Sequence, residues 1–371
     1  MYWQACASFF LAFGMAMPSV SCGKWPAQEP AAEQISSDAL MQVVRSYNPH
    51  SKSSQPAVLV SPSKLPTEEA YDVPVKQAFS TGNFDQLEKI VREARESQGR
   101  VLGGTWQLAA FYGAIGTTFI GPLSGGADWR LFFDSLNQWI KAKPDSVAAR
   151  LSLAGAYLDY AWKARGAGPA STVSAQGWML FGQRTNAAAE TLVAAARLKE
   201  KCPYWYDLMQ QVALAQGWDK AKARELLEQA VAFEPEYYHY YREQANFLQA
   251  KWYGEEGEVE AFATEVADRI GGPKGDIDYF EISSLVACQC DAQDDVLQNM
   301  SWPRIKRGYA ALEKQFGMSQ LKRNRFASMA VKAGDKLAAR DAIAKIGVVG
   351  DQNVWISAAR FDRAKNWATS E

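Results

Sequence analysis

A helical hydrophobic period that recurs in paired segments constrains this chain more than any other feature. From Thr67 onward apolar residues return every three or four positions, and Gly or Pro interrupts them roughly every fifteen residues. Almost nothing alternates as a strand would. Small residues stand where two antiparallel helices must cross closely, with larger apolar residues around them. Such a unit cannot shield its own flanks, so several in series must stack.

Four stretches carry the pattern. Tyr71, Val75, Ala78, Gly82, Leu87, Val91 and Ala94 form the first, with a turn at Gly82-Asn83-Phe84. Leu153, Ala154 and Tyr157 pair with Ala188, Leu192 and Ala195 across a long insertion. Ala223, Leu227, Ala230 and Pro235 follow a helix predicted over 208–216, and Phe326, Ala327, Ala330, Gly334, Ala339 and Ile343 make the last. A degenerate pair joins Tyr241, Ala245 and Leu248 to Phe262, Ala263 and Val266. Further helices are expected at 106–115, 129–143, 279–290, 302–316 and 353–367. The fold class predicted is all-α, a tetratricopeptide-like α-solenoid of antiparallel helix pairs.

Residues 1–21 read as a signal peptide, because Ala5 to Met17 is apolar, uncharged and short for a membrane span. Ser19-Val20-Ser21-Cys22 resembles a lipobox with Ser19 in place of the usual Leu, which makes Cys22 the candidate lipidation site. Ordinary cleavage before Cys22 suits the same residues, and no Lys or Arg precedes Lys24. The expected location is the bacterial periplasm or outer membrane, with membrane contact only through a lipid anchor. Residues 22–66 read as a disordered linker, since seven of the fifteen prolines fall between positions 23 and 74. A short amphipathic helix fits within it at 37–47. The central domain is placed at 67–290 and basic C-terminal helical repeats at 291–371. Residues 101–127 carry no charge but hold seven glycines, which favours a buried helix and a loop over a membrane span.

A net charge of −1 argues against general attraction to polyanions, so no nucleic-acid partner is expected. The charge is unevenly spread: fifteen acidic against four basic residues over 234–300, then six against fourteen over 301–371. That pattern reads either as two solvated ends or as a basic end that docks on an acidic partner. A head-to-tail structural assembly is the third reading. Two histidines and scattered thiols give no zinc spacing, and neither metal nor cofactor is expected. Cys202, Cys288 and Cys290 are disulfide candidates if the compartment is oxidising.

Tyr160-Ala161-Trp162-x-x-Arg165-Gly166-x-Gly168, Gly177-Trp178-x-Leu180-Phe181-x-x-Arg184 and Pro203-x-Trp205-Tyr206 are distinctive runs. So are Gly217-Trp218, Glu234-Pro235-x-Tyr237 and Lys251-Trp252-Tyr253-Gly254. Together they resemble the bacterial domain of unknown function family 4034, over somewhat more than half the chain. The resemblance implies a helical fold and no chemistry.

The candidate ligand-binding residues are Trp162, Arg165, Trp178, Arg184, Trp205, Tyr206, Trp218, Trp252 and Tyr253. Aromatic and Arg side chains bury much area at little entropy cost, which suits a concave groove for a protein or peptide partner, or for a glycan. The competing reading has most of these rings filling the space between stacked helix pairs, with Arg165 and Arg184 pinning the insertion at 165–176. The acidic loop Gly254-Glu255-Glu256-Gly257-Glu258 reads as a helix start. His239 and the basic run Lys322-Arg323-Asn324-Arg325 read as helix surface. No nucleophile elbow or Cys–His pair occurs, so a binding module is expected rather than an enzyme. The enzymatic alternative is a glycan-active hydrolase or lyase using carboxylates such as Asp207 or Glu255.

Overall fold

The computed structural model describes residues 34–47, 61–119, 128–289 and 296–370, and they form an all-α protein. No strand occurs among the described residues, only an isolated bridge between Arg100 and Trp106. The signal peptide, Cys22 and Cys290 lie outside the described residues, and so do most of the linker and the glycine-rich loop after 119.

The helices run as follows in chain order. The first group is α1 (Ser37–Tyr47), α2 (Glu68–Ser80), α3 (Phe84–Ser97), α4 (Gln107–Thr117), α5 (Trp129–Ala142) and α6 (Val147–Arg165). The middle group is α7 (Ala175–Ala196), α8 (Tyr204–Gln216), α9 (Lys220–Phe233), α10 (His239–Phe247), α11 (Glu258–Ile270) and α12 (Gly272–Gln289). The last is α13 (Val296–Asn299), α14 (Trp302–Phe316), α15 (Gln320–Lys332), α16 (Lys336–Ile346), α17 (Gln352–Trp355) and α18 (Ala358–Thr369).

Side-chain caps fix many of the starts. Thr67, Asn83, Ser146, Asp219, Ser319 and Asp335 each accept a backbone N–H from the first turn of the helix that follows. The expected helix over 353–367 is broken instead into α17 and α18. The break falls at Ile356, a β-branched residue held at φ +66°. Helix α12 begins seven residues earlier than the pattern suggested.

Neighbours in sequence are mostly neighbours in space. Helices α2, α3 and α4 pack together, α5 packs on α6, and α6 on α7. Helix α8 lies against α6, α7, α9 and α10, and α12 joins α10 and α11 to α14 and α15. One hydrophobic core runs from Leu40 in α1 to Ala368 in α18. The C-terminal helices therefore share the core of the central region, because α12 spans both. Their close approach depends on Gly308, where a Cβ would lie 2.0 Å from the carbonyl oxygen of Asp276.

The expected linker is partly structured. Helix α1 packs on α7 and α9, burying Leu40, Met41, Val44 and Tyr47. Its apolar face repeats at helical spacing, so docking recovers what a proline-rich context alone would not.

The row of helices also closes on itself. The turn at Pro62–Lys64 contacts α14, Leu102 N donates to Pro66 O, and Gly103 N donates to Phe316 O at 3.2 Å. Lys322 Nζ reaches back to Gly103 O at 2.7 Å. Gly103 and Gly104 take φ of +87° and +80°, and added Cβ atoms would meet Ser319 and Phe316 within 3 Å. Only glycine satisfies both the left-handed backbone and this proximity.

The acidic and basic segments meet across that packing. Arg304 pairs with Asp268 and Asp276, Arg307 with Asp276, and Lys322 with Glu281. The basic run is thus not a solvated face. Lys322, Asn324 and Arg325 are buried, and Asn324 Oδ1 accepts from Trp355 Nε1 and from Asp351 N.

Candidate functional site

The predicted aromatic and arginine residues divide into three groups. Trp205 and Tyr206 are fully buried core. Trp205 stacks on Tyr47 at 4.0 Å and donates to Leu192 O, so it cannot line a groove. Trp218 is buried as well and donates to Gln216. Arg184 lies against the Tyr160 ring and donates to Tyr160 O, which ties α7 to α6.

Trp162, Arg165, Trp178 and Trp252 do come together. The Arg165 guanidinium lies 5.7–5.9 Å from the three indole centroids. It donates to the carbonyls of Gly166 and Gly168, closing the loop after α6. Burial lowers the Arg165 pKa, while the nearby Tyr253 raises it. Tyr253 donates to Leu214 O beside this group. The guanidinium thus sits within cation–π distance of all three rings. The set forms a knot that ties the start of the insertion to the end of α6.

A second site lies at the centre of the row. A cleft open to solvent is lined by Glu68 of α2, residues of α4, and residues of α8, α10, α12 and α15. Asp207 comes from α8, while His239, Arg242 and Glu243 come from α10. Lys322 and Arg325 come from α15. Helical spacing explains the convergence: positions 239, 242 and 243 share one face, as do 322 and 325.

The charges in the cleft are incompletely matched. Glu281, buried behind the wall, pairs with Lys322 and lies 3.9 Å from Arg242. Arg325 is 5% exposed and has no ion pair or hydrogen bond among the described residues; its Nε is buried without an acceptor. Asp207 is also 5% exposed, and its Oδ1 has no donor. His239 Nε2 and Arg242 Nε are in the same condition. Four of the buried side-chain atoms without a hydrogen-bond partner, on Asp207, His239, Arg242 and Arg325, thus belong to residues that line this one cleft, where a ligand or solvent can reach them.

Titration follows from the same geometry. Burial raises the Asp207 pKa far above the carboxylate range, and Arg242 offsets this only in part. Burial and then repulsion from Asp207 raise that of Glu243. Glu243 and Arg242 keep part of their surface open to the cleft although they sit deep in its walls. Burial and the cations Arg242, Lys322 and Arg100 hold His239 neutral, well below its usual pKa.

Sequence reasoning put His239 on a helix surface and missed Arg242, Glu243 and Arg325. The available signal was charge placed on the inward faces of otherwise apolar helices, as at Asp207 within Tyr204–Ala215. Glu255 is exposed at a distance from the cleft lining, and Glu258 accepts from Glu255 N at the start of α11, so the acidic loop is a helix start. Cys202 is a free, buried thiol 3.6 Å from Tyr112 Oη, which removes it from the disulfide candidates. No metal-binding cluster occurs among the described residues, and none of their helices is long and apolar enough to cross a membrane. Comparison with family models, curated proteins and solved structures returned no match.

Proposed function

We propose that this protein is a non-catalytic helical-repeat binding module and that it captures short peptides or peptide segments in its central cleft. The observation that supports this most is the set of unpaired buried atoms on the cleft wall, Asp207 Oδ1 and Arg325 Nε above all. They cost stability in the free protein and regain it when a ligand supplies the missing partners. We further propose export of the chain, with Cys22 as its lipid anchor, and a shared fold with family 4034. The aromatic knot, on this reading, holds the scaffold rather than the ligand.

Gly113 provides a direct test. It lines the cleft, and a Cβ there would meet nothing within 4 Å. Gly113→Leu fits the helix and fills the space. In a short-peptide binding screen, Gly113→Leu is expected to lose binding with its circular dichroism unchanged, while Trp178→Ala keeps it. The opposite pattern would return the site to the aromatic knot.

A second reading rests on one observation. Asp207 and Glu243 form a proton-holding pair, which is the equipment of general acid catalysis. An enzyme acting on glycans would lose turnover in Asp207→Asn while still binding its substrate.

A further inference from the structure

The cleft has two poles that the protein leaves unsatisfied. On α8 and α10, Asp207 and Glu243 repel one another, and Asp207 Oδ1 has no donor. On α15, Arg325 is buried, its Nε has no acceptor, and it makes no ion pair among the described residues. Among the described residues no ion pair joins the two poles, although both line the same space. Arg242 lines the same cleft, 3.9 Å from Glu281 and with its Nε unpartnered. The other charged groups facing the cleft are Glu68 and Lys322, and Lys322 is already committed to Glu281. His239 faces it as a neutral ring.

Each simple ligand class leaves one pole unpaired. An anion such as phosphate would meet Arg325 but would worsen the repulsion on Asp207 and Glu243. A lone amine would meet the carboxylates and leave Arg325 buried without a counter-charge. A neutral sugar could hydrogen-bond to both but would neutralise neither. A ligand carrying both charges resolves the mismatch.

We propose that the cleft binds a small zwitterion, an α-amino acid or a short peptide with both ends free. Asp207 and Glu243 take its ammonium, releasing to solvent the proton they otherwise hold, and Arg325 with Arg242 takes its carboxylate. This rests on the cleft being the capture site and specifies what the site reads.

The test is calorimetric titration of the full chain at neutral pH with four probes. They are L-alanine, L-alanyl-L-alanine, and the dipeptide blocked at its amino end by acetylation or at its carboxyl end by amidation. The free dipeptide or the free amino acid is expected to bind, and comparison of the two identifies the source of the zwitterion. Blocking either end should weaken binding at least about tenfold. Asp207→Asn should weaken the free dipeptide and erase the penalty for acetylation. Arg325→Gln should do the same for amidation. Should either variant fail to fold, the blocked probes on the unaltered protein and Gly113→Leu still decide the matter. Blocked forms that bind as tightly as the free one, yet not to Gly113→Leu, would overturn the zwitterion while leaving the cleft as the site. Binding undiminished in Gly113→Leu would overturn both. No heat with any probe up to about 10 mM would also overturn the proposal.

Discussion

Asp207 shows at the scale of one residue what the cleft does to an acid. Its helix is otherwise a run of core residues, so the carboxylate loses water, a loss that Arg242 helps to offset in part. Glu243 and Asp278 share that fate; burial, then Lys274 acting against it, leaves Asp278 at about 7. All three folded-state pKa values lie above those of the unfolded chain. The native state therefore keeps protons that the unfolded state has released, and the stability these groups give is lost as pH rises through their folded values. The ligand-free protein is expected to lose stability steadily between about pH 5 and about pH 8. Denaturant melts across that range measure it, and Asp207→Asn should flatten the slope. Stability that rises over the same interval would contradict the assignment. The residue scale was only half legible in the sequence. Asp207 was visible as a carboxylate, but its partners Glu243, Arg242 and Arg325 lie on other helices, and periodicity does not say which helices face one another.

At the scale of elements, legibility was high where one face of a helix decided everything. The spacing predicted α1 and α14 at their observed bounds, and the turn at Gly82-Asn83 where it falls. What the spacing did not convey was the company each helix keeps. Helix α1 was read as part of a linker, yet Tyr47 lies in the core, accepts from Cys202 N at 2.9 Å and donates to Cys202 O at 3.2 Å. Its ring stacks on Trp205, the residue that the aromatic count had assigned to a ligand. Tyr47→Phe keeps the ring and leaves the buried Cys202 N–H without an acceptor. That change should cost about 1–3 kcal/mol in chemical denaturation. A cost near zero would mean that α1 is only loosely docked. Aromatic abundance misled because Trp and Tyr serve cores and binding sites alike, and only burial separates the two.

The whole molecule follows from closure. Residues 62–66 and 102–104 contact α14 and α15 across the chain, and the cleft is lined by helices from both sides of that contact. Closure also explains the charge asymmetry, because the acidic and basic segments are packed together and share ion pairs. The buried Lys322–Glu281 pair supports the cleft wall and leaves Arg325 available on the same helix. The measurement that bears most directly on this account is hydrogen exchange of the full chain with and without saturating L-alanyl-L-alanine. Slowed exchange concentrated in α4, α8, α10 and α15, with the knot around 162–178 unchanged, is the predicted result. Slowing confined to the knot, or no change in the four cleft helices, would contradict it.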